Sequence, residues 1–400
     1  RRGGGHPMNY PDPVPLTRRS ALALLAVGGL TGCAFKPISW GEPTGSPVPT
    51  ASADDALEVA EDYFNQSPDS GAKMLNEGIT TMQRISTPHF DARLDRRFAG
   101  ETLSAQTVAQ VFEQGAIRAP QGFELVAFTL QAGNPYYGET DTARAAAEIL
   151  VAESTVIPLT APFGVFNDTT RRFAREWVLV ILAVPAGAPV MLQVRDEGLT
   201  VAVDLRSGAP VVDEAWAANT GFRERVGIKV IGDDQVFHRT LATLPTGALQ
   251  KQTSRFSFGI KPQASWGLVP WNSEDGWAEK GKQWLRVSTG ARVAFEPPGK
   301  PAVIMDIDVV NSFQYVEGTA APIPAHRPKT ITTEAIYNGE AVLDVTWLVP
   351  GMESRATITC NPVGELRARY SDHPDVSAEF TGAASPISFT LAFSPLEEEW

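Results

Sequence analysis

Four of the chain's nine tryptophans, Trp266, Trp271, Trp277 and Trp284, fall within 19 residues. An acidic turn, Asn272-Ser273-Glu274-Asp275-Gly276, sits among them. Indole faces beside polar groups hold sugars and aromatic ligands, and Trp is enriched at interface hot spots. The ordinary role of such rings is packing at a sheet edge. On the surface reading, Trp271 and Trp277 are the exposed rings, with Glu274 and Asp275 as ligand-binding neighbours. A second constellation is Asp306 and Asp308, which flank Ile307 on an expected strand and so project from one face. Asn311 follows. Clusters of hard oxygen donors bind Ca²⁺, which makes Asp306, Asp308 and Asn311 candidate metal ligands. The plainer reading is the solvent face of an amphipathic strand.

Other catalytic patterns are missing from the sequence. It has no G-x-S-x-G and no S-x-x-K with its partner motifs. His6, His89, His238, His326 and His373 include no pair at metal-ligand spacing. No phosphate-cradling or dinucleotide glycine loop occurs. Cys360 ends the alternating run Ala356-Thr357-Ile358-Thr359-Cys360 with no nearby histidine, and it reads as a buried, inert thiol. The expectation is a non-enzyme with no cofactor beyond the calcium option.

The chain has 34 basic and 46 acidic side chains, a net charge of −12. That balance argues against nucleic acid as a partner, because phosphate binding needs a basic surface. It equally argues against broad electrostatic adhesion to anionic lipid. The apolar content of 43% is enough for real cores.

Elements that would place the chain in a cell lie at its start. Arg18 and Arg19 precede an apolar run from Ala21 to Leu30. Ten residues are far short of the roughly 20 that cross a bilayer as a helix, so the run reads as an export signal. Thr17-Arg18-Arg19-Ser20-Ala21-Leu22 resembles the twin-arginine export consensus, with Sec export as the alternative. Leu30-Thr31-Gly32-Cys33 resembles the lipobox of bacterial lipoproteins. That resemblance implies cleavage before Cys33 and diacylglyceryl modification of its thiol. Two acyl chains hold a protein firmly to a membrane. Met8 is the expected translational start. Removing residues 1–32 takes away four arginines and one aspartate and leaves a net charge of −15 on 368 residues. The composition, rich in Ala, Arg and Gly, resembles that of actinobacterial proteins.

Residues 33–53 are rich in Pro, Ser, Thr and Gly and read as a flexible tether. Residues 54–118 read as a short helical segment. The stripe Ala56, Leu57, Val59, Ala60, Tyr63, Phe64 suggests one helix, and Met74, Leu75, Ile79 and Met82 a second. Ser104 to Phe112 suggests a third, short one. From Phe123 the pattern turns to strands, including the continuous apolar run Trp177 to Val184. Thr142 to Val151 fits either a helix or a strand. Ala119 to Leu125 is echoed by Ala278 to Trp284, and Leu182 to Gly187 by Trp347 to Met352, at offsets of 159 and 165 residues. Echoes in the same order suggest a duplicated domain. The expected division is a first β-sandwich over 119–225, a linker over 226–250 and a second β-sandwich over 251–400.

The stretches Val184-Pro185, Leu192-Gln193-Val194-Arg195-Asp196-Glu197-Gly198 and Val203-Asp204-Leu205-Arg206-Ser207-Gly208 resemble a pattern of secreted actinobacterial lipoproteins with immunoglobulin-like domains. The resemblance covers about 30 residues and implies fold and location, with no catalytic residue. The sequence-based expectation is therefore a mainly β protein of tandem immunoglobulin-like antiparallel sandwiches. It would be lipid-anchored on the extracytoplasmic face of the membrane and would bind or position an envelope protein or glycan. The alternatives are a solute-binding lipoprotein serving a transporter, or an envelope hydrolase built from distant carboxylates.

Overall fold

The computed structural model describes residues 55–68, 71–136, 145–159, 177–231, 237–246, 252–295, 302–326, 330–335, 340–350, 354–369, 376–381 and 387–396. Arg18, Arg19, Cys33 and the expected tether lie outside these residues. The protein is mainly β, with several antiparallel sheets. Among the described residues no helix is long and apolar enough to cross a membrane.

The first half runs through β1 (Leu57–Glu58), β2 (Phe64–Gln66), β3 (Ile79–Ser86), β4 (Asp91–Gly100), β5 (Thr102–Leu103), α1 (Ala105–Val108) and β6 (Ile117–Arg118). It continues with β7 (Phe123–Ala132), β8 (Ala146–Val151), β9 (Thr155–Pro158), β10 (Trp177–Pro185), β11 (Val190–Asp196) and β12 (Leu199–Asp204). One sheet has the order β2-β10-β7-β4-β3, and another has the order β12-β11-β8-β9. Side chains alternate faces along a strand, and here both faces of the five-stranded sheet are covered. Val126, Phe128, Val178, Val180 and Leu182 pack against Ile149, Leu192, Val194 and Val201 of the four-stranded sheet. Their neighbours Leu125, Ala127, Leu179 and Ile181 pack the other way, against Leu103, Val108, Val111 and Ile117. Burial on two faces is why Trp177 to Val184 is a continuous apolar run rather than an alternating one.

The helical expectation for residues 54–118 is corrected over most of its length. Ser104 does cap α1, its side chain accepting from the Thr107 N–H, and a 3-10 turn follows over Ala109–Val111. The two longer helices are absent, and β1, β2 and β3 stand in their place. Leu57, Met74, Ile79 and Met82 are all at least half exposed, so their spacing does not mark a buried face. Strand pairing decides the backbone instead: β2 adds to the edge of β10, with Asn65 opposite Ile181. Residues 146–151 of the ambiguous segment form a strand.

Two short helices, α2 (Glu214–Ala218) and α3 (Thr220–Arg223), lead into the second half. Next come β13 (Val226–Ile231), β14 (Phe237–Thr246), β15 (Gln252–Val269), β16 (Trp271–Asn272), β17 (Gly276–Trp277), β18 (Lys282–Phe295) and β19 (Ala302–Asp308). After α4 (Val309–Ser312) come β20 (Phe313–Val316), β21 (Ile323–Pro324), β22 (Thr330–Ala335), β23 (Glu340–Pro350), β24 (Arg355–Cys360), β25 (Val363–Arg369), β26 (Val376–Thr381) and β27 (Ile387–Pro395). The expected linker over 226–250 therefore contains β13, paired with β27, and β14, paired with β15.

The order β10-β7-β4-β3 in one sheet of the first half reappears as β23-β18-β15-β14, and β12-β11-β8-β9 reappears as β26-β25-β19-β22. The two sequence echoes occupy matching places in this scheme. Phe123 pairs with Pro185 and Lys282 with Pro350. Each strand start follows a glycine at positive φ, Gly122 at 82° and Gly281 at 80°, a backbone that glycine adopts without steric cost. Among the described strands, neither half shows the ABED/CFG order of an immunoglobulin domain. Here three successive long strands, β3, β4 and β7, form a meander and β10 returns beside β7.

Candidate functional site

The Trp-rich segment folds as a miniature hairpin, with Trp271 opposite Trp277 and Asn272 opposite Gly276. Its turn is held by Asn272, whose Oδ1 accepts from the N–H groups of Glu274 (2.9 Å) and Asp275 (2.8 Å). Asn residues favour such turns because the side chain stands in for a backbone acceptor. Gly276, at φ 77°, completes it.

Trp271 is only 4% exposed. It forms a buried cluster with Phe222 of α3, Val269 and Trp284, and its ring meets His89 edge-on at 5.4 Å. Trp277 is half-buried; its Nε1–H donates to the Glu197 carbonyl at 2.9 Å, and its ring stands T-shaped to Phe222 at 6.4 Å. The expectation that both rings are exposed is thus corrected. Their partners, Phe222, His89 and Glu197, are distant in sequence, so local spacing could not reveal the burial. Trp284 Nε1–H donates to the Gly276 carbonyl at 3.0 Å, and the Trp284 ring lies 4.7 Å from His326. Trp266 lies within β15.

The hairpin is flanked by two depressions. A groove of about 670 Å³ runs between the short helices and the hairpin. Ala217, Ala218, Gly221, Pro270, Trp277 and Ala278 line it, and Glu214, Glu279, Lys280 and Lys282 also contribute. Gly221 is required by close approach: a Cβ there would come within 2.9 Å of the Pro270 ring. The second depression is a polar pocket of about 150 Å³ that includes Tyr136, Asn272, Glu274, Asp275, Trp284, Arg286 and Asp344. Asn272 Nδ2 is buried there, without a hydrogen-bond partner among the described residues. Asp344 accepts from Arg286 at 2.6 Å and from the Ser288 hydroxyl. So Glu274 and Asp275 line one depression while Trp277 walls the other.

The helical wall of the groove is set by a buried charge network. Arg84 makes a two-pronged pair with Asp91, at 2.9 and 3.0 Å, and donates to the Arg223 carbonyl at 3.0 Å. Arg225 reaches Asp91 at 3.3 Å and also donates to the Asn134 carbonyl. The Arg223 guanidinium stacks on Trp216 at 3.8 Å and donates to the Trp216 carbonyl at 2.7 Å. Burial pulls Arg223 down to about 10, with Arg84 adding to the shift and Glu224 opposing it.

Tyr136 of the polar pocket is pushed up to about 12 by burial, with Arg225 and Arg286 opposing. An unfolded tyrosine ionises near 10. Its contribution to stability is therefore complete below pH about 10 and is lost as pH rises through about 12. Tyr63 is also pushed up to about 12, by burial first. Urea unfolding at pH 9 and 11 should show lower stability at pH 11, and Tyr136→Phe should reduce that loss.

The calcium candidates are tied to other roles. Asp306 accepts from Arg367 at 2.6 Å. Asp308 caps α4, accepting from the Asn311 N–H at 3.1 Å and from its side-chain amide at 2.6 Å. A carboxylate paired with arginine and another spent on a helix cap do not make a hard-oxygen cage. Cys360 is fully buried, and burial pushes its thiol up, away from the nucleophilic thiolate. Among the described residues, the His, Asp and Glu side chains close enough to share an ion are His89, Asp196 and Glu197. Sequence reasoning missed this group because His89 and Asp196 lie 107 residues apart.

No family model, curated protein or solved structure matches the chain.

Proposed function

We propose that this protein is a non-enzymatic binding module of the cell envelope, held to the extracytoplasmic face of a membrane through a lipidated Cys33. The observation that carries the binding reading is the groove between the short helices and the Trp277 hairpin. Its apolar residues, flanked by charges of both signs, suit an apolar segment of an envelope protein. Pockets with apolar walls and a few polar groups are the usual form of a binding site. A glycan is the second reading, favoured by the polar pocket with its aromatic wall and the Asn272 amide nitrogen, which no described residue bonds. The mainly β architecture favours a binding module over a solute-binding protein, which is commonly built from α/β lobes. The recurring strand order and the paired echoes support an origin by tandem duplication of one sandwich unit. Export through the twin-arginine route, an actinobacterial source and the lipid anchor rest on Arg18, Arg19, the composition and the Leu30–Cys33 motif.

The test uses the full chain in two forms. The chain with Cys33 intact should fractionate with membranes, and Cys33→Ser should move to the soluble fraction. The soluble form, immobilised, is then offered solubilised envelope protein and envelope polysaccharide from its source. Specific retention of an envelope protein is the expected result. Retention of polysaccharide alone moves the site to the polar pocket. Retention of neither, or membrane association without Cys33, contradicts the reading.

A further inference from the structure

Two hairpin tips meet beneath the tryptophan hairpin, and together they carry a cluster that the binding site does not use. Residues Thr87 to His89 lie in the turn from β3 to β4. Asp196, Glu197 and Gly198 form the turn from β11 to β12. Asp196 is fully buried, and its Oδ2 accepts from the Thr87 hydroxyl at 2.6 Å and from the His89 N–H at 2.7 Å. Those two donors orient the carboxylate so that Oδ1 lies 2.9 Å from His89 Nδ1. Glu197 Oε1 lies 3.7 Å from the same nitrogen. The three ligand atoms are all within 4.8 Å of one another.

We infer that His89 Nδ1, Asp196 Oδ1 and a Glu197 carboxylate oxygen form a binding site for a zinc-class divalent cation. Ligands at about 2.0–2.1 Å from a tetrahedral ion stand roughly 3.4 Å apart, and the observed 2.9 and 3.7 Å bracket that spacing. One imidazole and two carboxylates suit zinc and its first-row neighbours, whereas Ca²⁺ takes six to eight oxygens. The Thr87 hydroxyl and the His89 N–H are the outer donors that aim the buried ligand, as metal sites require. A ligating imidazole nitrogen carries no proton, so a cation between Nδ1 and Oδ1 replaces their hydrogen bond with two metal–ligand bonds. Glu197 sits at φ 47° followed by Gly198 at 79°, a two-residue turn that ordinarily prefers Asn-Gly. The glutamate supplies a third ligand, and its side chain, 23% exposed, gives the ion an entry path. Because the Glu197 carbonyl also accepts from Trp277, the ion braces the joint on which the groove is built.

The test is a titration of tag-free, chelator-stripped full chain carrying Cys33→Ser. Co²⁺ serves as the spectroscopic probe, and Zn²⁺ is measured by competition. One equivalent of Co²⁺ should give the visible bands of a four- or five-coordinate site, bleached by one equivalent of Zn²⁺, with a rise in Tm. Glu197→Gln, at a partly exposed turn that tolerates the change, should weaken Zn²⁺ binding at least about tenfold, and His89→Gln further. If Co²⁺ gives no such bands, or Glu197→Gln binds like wild type, the cluster is a hydrogen-bonded His–Asp lock and the proposal fails. A Tm rise with Ca²⁺ and none with Zn²⁺ overturns the assigned class.

Discussion

Trp271→Ala should lose about 3–5 kcal/mol of stability, the range for truncating a large buried aromatic. The ring is 4% exposed and packs with Phe222, Val269 and Trp284 while its edge faces His89. Removing it leaves a void where α3, the β3–β4 turn and the second half converge, and the close contacts at Gly221 limit collapse into that space. An exposed tryptophan would behave differently, since surface substitutions usually stay within about ±0.5 kcal/mol. Trp277→Phe is the control. It keeps most of the ring and removes the hydrogen bond to the Glu197 carbonyl, so it should cost about 1 kcal/mol. Urea unfolding followed by tryptophan fluorescence and by circular dichroism measures both. A Trp271→Ala loss below about 1 kcal/mol would show that the ring is not part of the core.

Removal of the Asp91 carboxylate should be as severe. Asp91 is 1% exposed and holds two guanidiniums, those of Arg84 and Arg225, that are themselves about 15% exposed. Breaking a buried pair by deleting one partner typically costs about 3–5 kcal/mol, because the remaining charge loses its compensation. Asp91→Ala withdraws the carboxylate from two guanidiniums at once. Arg84 also holds the Arg223 carbonyl, and Arg225 bonds the Asn134 carbonyl. The variant should therefore loosen α3 and reduce capture at the groove as well as lower stability. Replacing Arg84 and Asp91 by Met and Leu should cost less than Asp91→Ala, since it removes one of the two guanidiniums along with the carboxylate and leaves only Arg225 without it. Equal losses for the single and double variants would assign the effect to packing instead of charge.

What the sequence made legible is what depends on neighbours along the chain. β7, β11, β12 and β24 announce themselves by residue type and period, and β10 by its apolar run. Ser104 to Phe112 holds a true short helix, α1, with a 3-10 turn after it. The failures share one cause. Residues 57–86 contain apolar spacings that mimic a helix, yet Leu57, Ile79 and Met82 are exposed and pairing with β6, β10 and β4 settles the backbone. β13 looked like linker because its partner, β27, lies at the other end of the chain. At the site, Glu274, Asp275 and Trp277 were visible as a cluster of types. The groove's opposite wall, Ala217 to Gly221, carries no chemical signature at all. Asp196 and Glu197 read as an ordinary turn until His89 is brought against them.

The groove reading can be tested without disturbing the core. Ala217 is exposed and lines the groove, so Ala217→Trp fills the space while leaving Trp271, Phe222 and the Asp91 network intact. The measurement is capture of the retained envelope component by wild type and by Ala217→Trp, with Tm recorded for both. At least a tenfold loss of capture at unchanged Tm is the predicted result. Undiminished capture by a folded Ala217→Trp protein would contradict the account and place the contact surface elsewhere.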